Sequence, residues 1–157
     1  MEIRLDRTEP APDDAQLRAE RARGAMMRHD RVLDTLGITV DSIGPGRAGV
    51  SMRVRDDMLN GFAICHGGLI ATLADTAFAY ACNSHGERTV ASGLSVDFVA
   101  PAHAGDRLRA DALEQTQRGR TGVYDVVVRN QNDELVALFR GRAHRVKARA
   151  DAAPRQA

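Results

Sequence analysis

Two periods of apolar residues divide the chain. Leu69, Leu73, Ala77, Tyr80 and Ala81 recur at three- and four-residue spacing, with Ile70, Ala74 and Phe78 filling the flanks. This is the helical period, apolar nearly all round, and it predicts a buried helix from Gly67 to an exit at Asn83-Ser84-His85-Gly86. On either side the period falls to two. Ala48, Val50, Met52 and Val54 alternate with Gly49, Ser51, Arg53 and Arg55, as in a strand with one buried face. Residues 38–43 read as its partner, turned by Gly44-Pro45-Gly46. Asp56-Asp57 ends the pair, and a loop through Asn60-Gly61 delivers the chain to the helix. Beyond the helix, residues 90–99 form a strand limited by Pro101, with Ala91, Ser92 and Gly93 small enough for close approach. Leu108, Ala110 and Ala112 alternate again, Arg118-Gly119-Arg120 reads as a hairpin turn, and residues 124–129 return. Asn130 to Asp133 turn the chain into a last strand over 135–146.

Ahead of these strands, Pro12-Asp13-Asp14 supplies a helix start. Ala22, Met26, His29, Leu33 and Leu36 follow at helical spacing to a stop at Gly37. One helix over 12–36 is predicted, weakened or bent at Gly24, with solvated arginines on its outer face. The chain thus reads as a flexible segment over 1–11, a single domain over 12–147 and a loose tail over 148–157. A central helix followed by four strands without crossover helices makes an α+β fold on an antiparallel sheet and excludes a doubly wound one.

Composition narrows the function by exclusion. The 22 basic and 21 acidic residues leave a net charge of +1, which gives no reason to expect nucleic acid or an anionic membrane. Tryptophan is absent and aromatics are few, so stacking platforms for single strands are missing. The first ten residues carry charges throughout and resemble neither a signal peptide nor a membrane span, which makes the cytoplasm the expected compartment. Cys65 and Cys82 both fall in the central run and are expected to stay reduced and buried, not to act as nucleophiles. The histidines lie far apart and no phosphate-binding glycine loop occurs, so neither a metal nor a resident cofactor is expected.

The chemistry concentrates in the central helix. Asp75 is a lone carboxylate in an apolar run, where an ionised group is costly unless it is paired or used. Gly67-Gly68 opens the helix with bare backbone N–H groups at the positive end of its dipole. Together these are the parts of an oxyanion site and a general base or nucleophile. A capping role or a salt bridge across an interface would equally explain the aspartate, and a tight turn the glycines. Eight residues of helix separate Gly67 from Asp75 by roughly 12 Å, whereas both groups must lie within about 3 Å of the reacting atoms. One copy of the helix cannot serve both ends of one carbonyl. Two antiparallel copies about a two-fold axis can, so the site requires at least a dimer.

The run Asn60-Gly-x-x-x-Cys-His-Gly-Gly68, followed by Leu73-Ala-Asp-Thr-Ala-Phe-Ala-Tyr-Ala-Cys-Asn-Ser84, resembles the phenylacetate-degradation thioesterases of the hotdog-fold superfamily. The resemblance extends from about residue 36 to 146 and takes in Asp97-Phe98, Gly122 to Asp125 and Phe139-Arg140-Gly141. It implies a curved antiparallel sheet wrapped around one long central helix. It further implies hydrolysis of acyl-CoA esters, with aryl- or arylacetyl-CoA such as hydroxyphenylacetyl-CoA as substrate, in a homodimer that pairs into a homotetramer. Carried over residue by residue, Asp75 activates water or attacks the carbonyl itself. Gly67 donates the oxyanion N–H, and Asn60 orients water or thioester. His66, Gly68 and Thr76 are implied contacts to substrate. Coenzyme A, as part of the substrate, needs cations for its phosphates, and Arg118 and Arg120, with Arg142 and Arg145, are candidates. Some relatives place a hydroxyl on the strand after the helix; Gly93 stands at that position here, with Ser92 and Ser95 nearby. Two rivals remain: a hydratase or dehydratase of the same fold, which needs a catalytic histidine such as His66, and a non-catalytic acyl-CoA-binding protein.

Overall fold

The alternating segments pair into one six-stranded antiparallel sheet in the computed structural model, which describes residues 12–147. The strands are β1 (Thr39–Gly44), β2 (Arg47–Arg53), β3 (Thr89–Phe98), β4 (Arg107–Arg118), β5 (Thr121–Arg129) and β6 (Leu135–Arg145). Their order across the sheet is β1-β2-β4-β5-β6-β3, so β3 crosses from the centre of the chain to the far edge. The central helix, α3 (Gly67–Asn83), touches all six strands. This is the hotdog arrangement. Register irregularities in β1, β3 and β4 bend the sheet around the helix.

Alternation explains what lies between helix and sheet. Val50 and Met52 of β2, Leu108 and Ala110 of β4, Val126 and Val128 of β5, and Ala137 and Phe139 of β6 are all buried. They meet Leu73, Ala74, Ala77, Phe78 and Ala81 of α3, also buried. Phe78 packs edge-on against Tyr124 with ring centroids 5.6 Å apart and tilts over Phe139 at 5.9 Å. A Cβ on Gly141 would come within 2.7 Å of the Phe78 ring, so the glycine is what lets the helix seat.

The far end of α3 is fixed by polar contacts. Ser84 Oγ donates to the Ala81 carbonyl at 2.7 Å and accepts the Gly46 N–H at 2.8 Å. Asn83 exchanges two hydrogen bonds of 2.9 Å with the Thr89 backbone. Glu114 accepts from Tyr124 Oη at 2.6 Å and holds His85 Nε2 at 2.6 Å. Burial alone would raise the Glu114 pKa, but the Tyr124 and His85 hydrogen bonds outweigh it and keep the carboxyl below its ordinary range.

The single helix expected over 12–36 is two: α1 (Pro12–Met27) and α2 (Arg31–Leu36). Gly24 lies inside α1 without ending it; the break comes at residues 28–30. There the His29 and Asp30 amides both fold back to the Met26 carbonyl, and Asp30 turns extended to start α2. The Asp30 carboxylate accepts a hydrogen bond from Tyr80 Oη at 3.3 Å, a contact across fifty residues that local spacing does not carry. Gly37 closes α2 at φ 66°, where glycine is favoured. Gln16 and Arg23 tie α1 to the β1 carbonyls of Ile43 and Val40. The segments 1–11 and 148–157, expected to be loose, lie outside the described residues. No helix among the described residues is long and apolar enough to cross a membrane.

Gly141→Ala is expected to lower stability by about 1–3 kcal/mol, because the added methyl overpacks the Phe78 ring. Urea unfolding measures it, and an unchanged midpoint would contradict the fit described.

Candidate active site

The loop before α3 is built around Asn60. Its Oδ1 accepts the Phe62 N–H at 2.9 Å and the Ile64 N–H at 3.4 Å, and its backbone exchanges hydrogen bonds with Ile64 and Ala63. These donors fix the orientation of the amide. Its NH2 group has no acceptor among the described residues and is available to a ligand. His66 then caps the helix: its Nδ1 accepts the Gly68 N–H at 3.4 Å, while its own N–H donates to the Met58 carbonyl at 2.8 Å. The His66 ring thus serves as the cap of the helix. His66 touches no carboxylate among the described residues.

Gly67, the first residue of α3, has an N–H with no acceptor among the described residues, at the positive end of a seventeen-residue helix. A Cβ there would meet Phe98 Cζ at 2.9 Å. Gly67 and Asn60 line one cleft of about 490 Å³, whose walls include Ile70, Phe98, Val99 and Pro101. The result is an apolar trough with two bare donors. A larger hollow of about 590 Å³ lies on the outer face of the sheet, away from this site. Its charges neutralise one another, Arg109 pairing with Asp111 at 2.8 Å and Arg129 with Asp133 at 3.8 Å.

Asp75 lies two turns along α3 and outside the cleft. It is half-buried, with neither a hydrogen-bond donor nor a cation beside it among the described residues, and burial raises its pKa. The separation of Gly67 and Asp75 anticipated from helical rise therefore stands within one chain. Thr76 is buried and its hydroxyl donates to the Thr72 carbonyl at 2.8 Å, so it does not face the cleft. Gly68 sits beside Gly67 with its N–H held by His66. Arg118 and Arg120 stand exposed at the tip of the β4–β5 hairpin, apart from this cleft. Arg145 is paired with Glu87 at 3.1 Å.

The position suggested for a strand hydroxyl faces elsewhere. Gly93 pairs with Arg142, and a Cβ on it would meet the Arg142 guanidinium at 2.9 Å, on the outer face. Ser95 pairs with Arg140 on that same face, and Ser92 donates to the Arg142 carbonyl at 3.1 Å. The residue facing the helix is Phe98, which alternation of Leu94, Val96 and Phe98 along β3 would have found. Burial raises the Cys65 thiol pKa and lifts that of Cys82 to about 12, so neither is an activated nucleophile. No cluster of three histidine, cysteine or acidic side chains that could hold a metal occurs among the described residues.

Comparison with known proteins adds the relatives. A model described as the thioesterase superfamily matches residues 62–137. The acyl-coenzyme A thioesterase PaaI of Escherichia coli is 50% identical over 122 residues, spanning 78% of this chain and 87% of that one. The solved structure of the E. coli PaaI protein, from the phenylacetic acid degradation operon, superposes with a TM-score of 0.83 at 47% identity, covering 85% of this chain and 96% of that one. A mutant of the phenylacetic acid degradation protein PaaI from Thermus thermophilus gives a TM-score of 0.72 at 39% identity, over 74% and 100% of the two chains. A Streptococcus mutans protein bound to acetyl CoA gives 0.67 at 28% identity, over 69% and 88%.

The isolated Asp75 carboxylate carries a stability consequence. Its folded-state pKa is raised, so the folded protein holds the proton more tightly than the unfolded chain. That contribution is fully present below the unfolded value near 3.9 and is lost as pH rises through the folded value. Asp75→Asn is therefore expected to unfold at a higher temperature than the wild type at neutral pH, with the gap closing in acid. A melting temperature below wild type at pH 7 would show that the carboxylate has a stabilising partner.

Proposed function

The chain belongs to the thioesterase superfamily, and on that premise we propose that it hydrolyses acyl-CoA esters, aryl- and arylacetyl-CoA such as hydroxyphenylacetyl-CoA among them, to free acid and coenzyme A. One observation carries the reading: a single helix presents a bare N–H at the mouth of an apolar cleft and an unpartnered carboxylate two turns on. The thioester carbonyl oxygen accepts the Gly67 N–H, and the charge that develops there is stabilised by that donor and the helix dipole. Asp75 takes a proton from water as its oxygen bonds to the carbonyl carbon; the C–S bond then breaks and the thiolate of coenzyme A leaves with that proton. Direct attack by the carboxylate, followed by hydrolysis of the anhydride, uses the same groups. The Asn60 amide orients the water or the thioester. Phe98, standing against Gly67 with Ile70 and Val99 nearby, gives an aromatic acyl group an edge or face to pack on.

The active unit is a homodimer in which Gly67 of one chain faces Asp75 of the other. Strand β3 supports this assembly. It is ten residues long, it lies at the edge of the sheet, and Val90, Leu94 and Phe98 along it are about half exposed. An exposed apolar edge strand is a template for pairing, and a two-fold axis beside β3 runs two copies antiparallel. Two such dimers form a homotetramer in the cytoplasm, where the unpaired Cys65 and Cys82 thiols are stable. The hydratase alternative is disfavoured by the capping geometry of His66. A non-catalytic binder would hold acyl-CoA without releasing thiol, which a thiol-release assay decides.

Asp75→Asn is expected to lower kcat by at least about a thousandfold while leaving KM near wild type. In the wild type, kcat should rise with pH through the raised Asp75 pKa and then level off, since the base must be ionised. Near-normal turnover in folded Asp75→Asn protein would remove Asp75 from the mechanism. The shared site is tested by mixing Asp75→Asn with Gly67→Pro, which lacks the N–H. Half of the dimers in an equal mixture are mixed, and each regains one of two sites, so about a quarter of wild-type activity should return. Verified heterodimers that stay inactive, although both parents fold and exchange subunits, would sink the model.

A further inference from the structure

The loop that delivers the chain to α3 occurs twice in this fold. In residues 60–64 the Asn60 N–H donates to the Ile64 carbonyl at 2.8 Å and the Ala63 N–H to the Asn60 carbonyl at 3.0 Å. Residues 130–134 repeat the pattern with Asn130, Glu134 and Asp133, both bonds at 3.1 Å. In each loop the asparagine Oδ1 accepts the N–H groups two and four residues on. In each the fourth residue turns left-handed, Ala63 at φ 57° and Asp133 at φ 63°. Two features separate the copies. Glu134 holds the Asn130 NH2 group at 2.7 Å, whereas that of Asn60 has no acceptor among the described residues. Asn130 is followed by Gln131, and Asn60 by Gly61.

Gly61 is exposed, its N–H has no acceptor among the described residues, and a Cβ on it would meet nothing within 4 Å. Its nitrogen is therefore free to turn toward the neighbouring side chain, and the two donors on Oδ1 polarise the Asn60 Cγ that it would attack. Asparagine is among the thermolabile residues. We infer that Asn60 is a site of spontaneous deamidation that switches the active site off as the protein ages. The switch, though not the modification, rests on the hydrolase reading and the role it gives Asn60. The Gly61 nitrogen loses its proton to solvent and bonds to Asn60 Cγ, while the Phe62 and Ile64 N–H groups hold the charge on Oδ1. The Cγ–Nδ2 bond then breaks, and the amine takes up a proton and leaves as ammonia. Water opens the resulting succinimide at one carbonyl to aspartate and at the other to isoaspartate. Either product puts a carboxylate, in place of a donor, into the cleft it shares with Gly67, where the thioester oxygen gathers negative charge. The remaining asparagines lack this arrangement. Asn83 gives its NH2 group to the Ala79 and Thr89 carbonyls at 2.9 Å, and Asn132 precedes Asp133, whose side chain crowds the attacking nitrogen.

The test ages the wild type in mildly alkaline buffer at physiological temperature. Peptide mass spectrometry follows each asparagine, with thiol release from an acyl-CoA measured alongside. Asn60 is expected to convert at least about tenfold faster than Asn83, Asn130 or Asn132, with activity falling in step with the converted fraction. Gly61→Ala keeps the loop, since its methyl enters open space at a backbone angle outside the left-handed region, but it crowds the nitrogen. That variant should start with wild-type activity and lose it at least about tenfold more slowly. Asn60→Asp, which carries the product's charge from the outset, should show kcat at least about tenfold below wild type. Conversion of Asn60 no faster than that of Asn130 overturns the site, as does an equal rate in Gly61→Ala. Conversion that leaves activity intact, or full activity in Asn60→Asp, overturns the switch. If fresh wild type releases thiol from no ester, the hydrolase reading fails and the masses alone decide the site. Conversion confined to Asn60 and slowed in Gly61→Ala then supports it, and any other pattern overturns it.

Discussion

Burying one helix on the inner face of a curved sheet is the constraint from which the rest follows. A strand pair offers one apolar face, and six such strands must close on something with no polar side of its own. α3 meets that need because its sheet-facing residues besides Leu73 are small or aromatic: Ala74, Ala77 and Ala81 let the backbone approach, and Phe78 enters the gap left by Gly141. Close packing of this kind leaves little room for adjustment, since interiors resist even a single added methyl group. The helix is consequently a rigid axis whose available polar groups are few. They are the unpaired N–H at Gly67 and the carboxylate of Asp75.

Rigidity turns spacing into assembly. His66 and the Asn60 loop hold the start of α3, while Asn83, Ser84 and the His85–Glu114–Tyr124 cluster hold its end. With both ends fixed, Gly67 and Asp75 cannot move toward each other, and the chemistry proposed for them requires a second copy. The same fold leaves β3 unpaired on one side, with apolar side chains toward solvent. The incomplete site and the incomplete sheet therefore make the same demand, and one two-fold axis can satisfy both.

The parts of this structure legible in the chain are those governed by local period. Alternation located β2 and β4, turn residues bounded the other strands, and the all-round apolar run located α3, because a pleat, a turn and a helical repeat are recorded by neighbouring residues. The break between α1 and α2 left no such trace: Met26 and Leu33 keep helical spacing across it, and the interaction that favours the break is Asp30 with Tyr80, far along the chain. Gly93 was ambiguous for a different reason. A register irregularity between Ala91 and Gly93 changes which face each residue takes, and a shift of one residue moves a side chain from one side of the sheet to the other. Thr76 shows a third limit, since a hydroxyl on a helix can bond its own backbone, and only packing reveals which it does.

Arginine was the least legible residue type, and the reason is physical. Nearly every cation in this chain is arginine, so residue type carries no information about which of them meet a ligand. What separates them is whether a carboxylate stands within reach. Arg109, Arg140 and Arg145 are matched by Asp111, Asp125 and Glu87, and a matched guanidinium has little left to offer a phosphate. Arg18, Arg21 and Arg88 come together only because α1 packs beside the end of α3, where Gly86 lets the Arg18 stem lie against the backbone. Among the described residues Arg23, Arg55, Arg109, Arg129, Arg140 and Arg145 have a carboxylate partner, so an anionic ligand would meet an arginine outside that set.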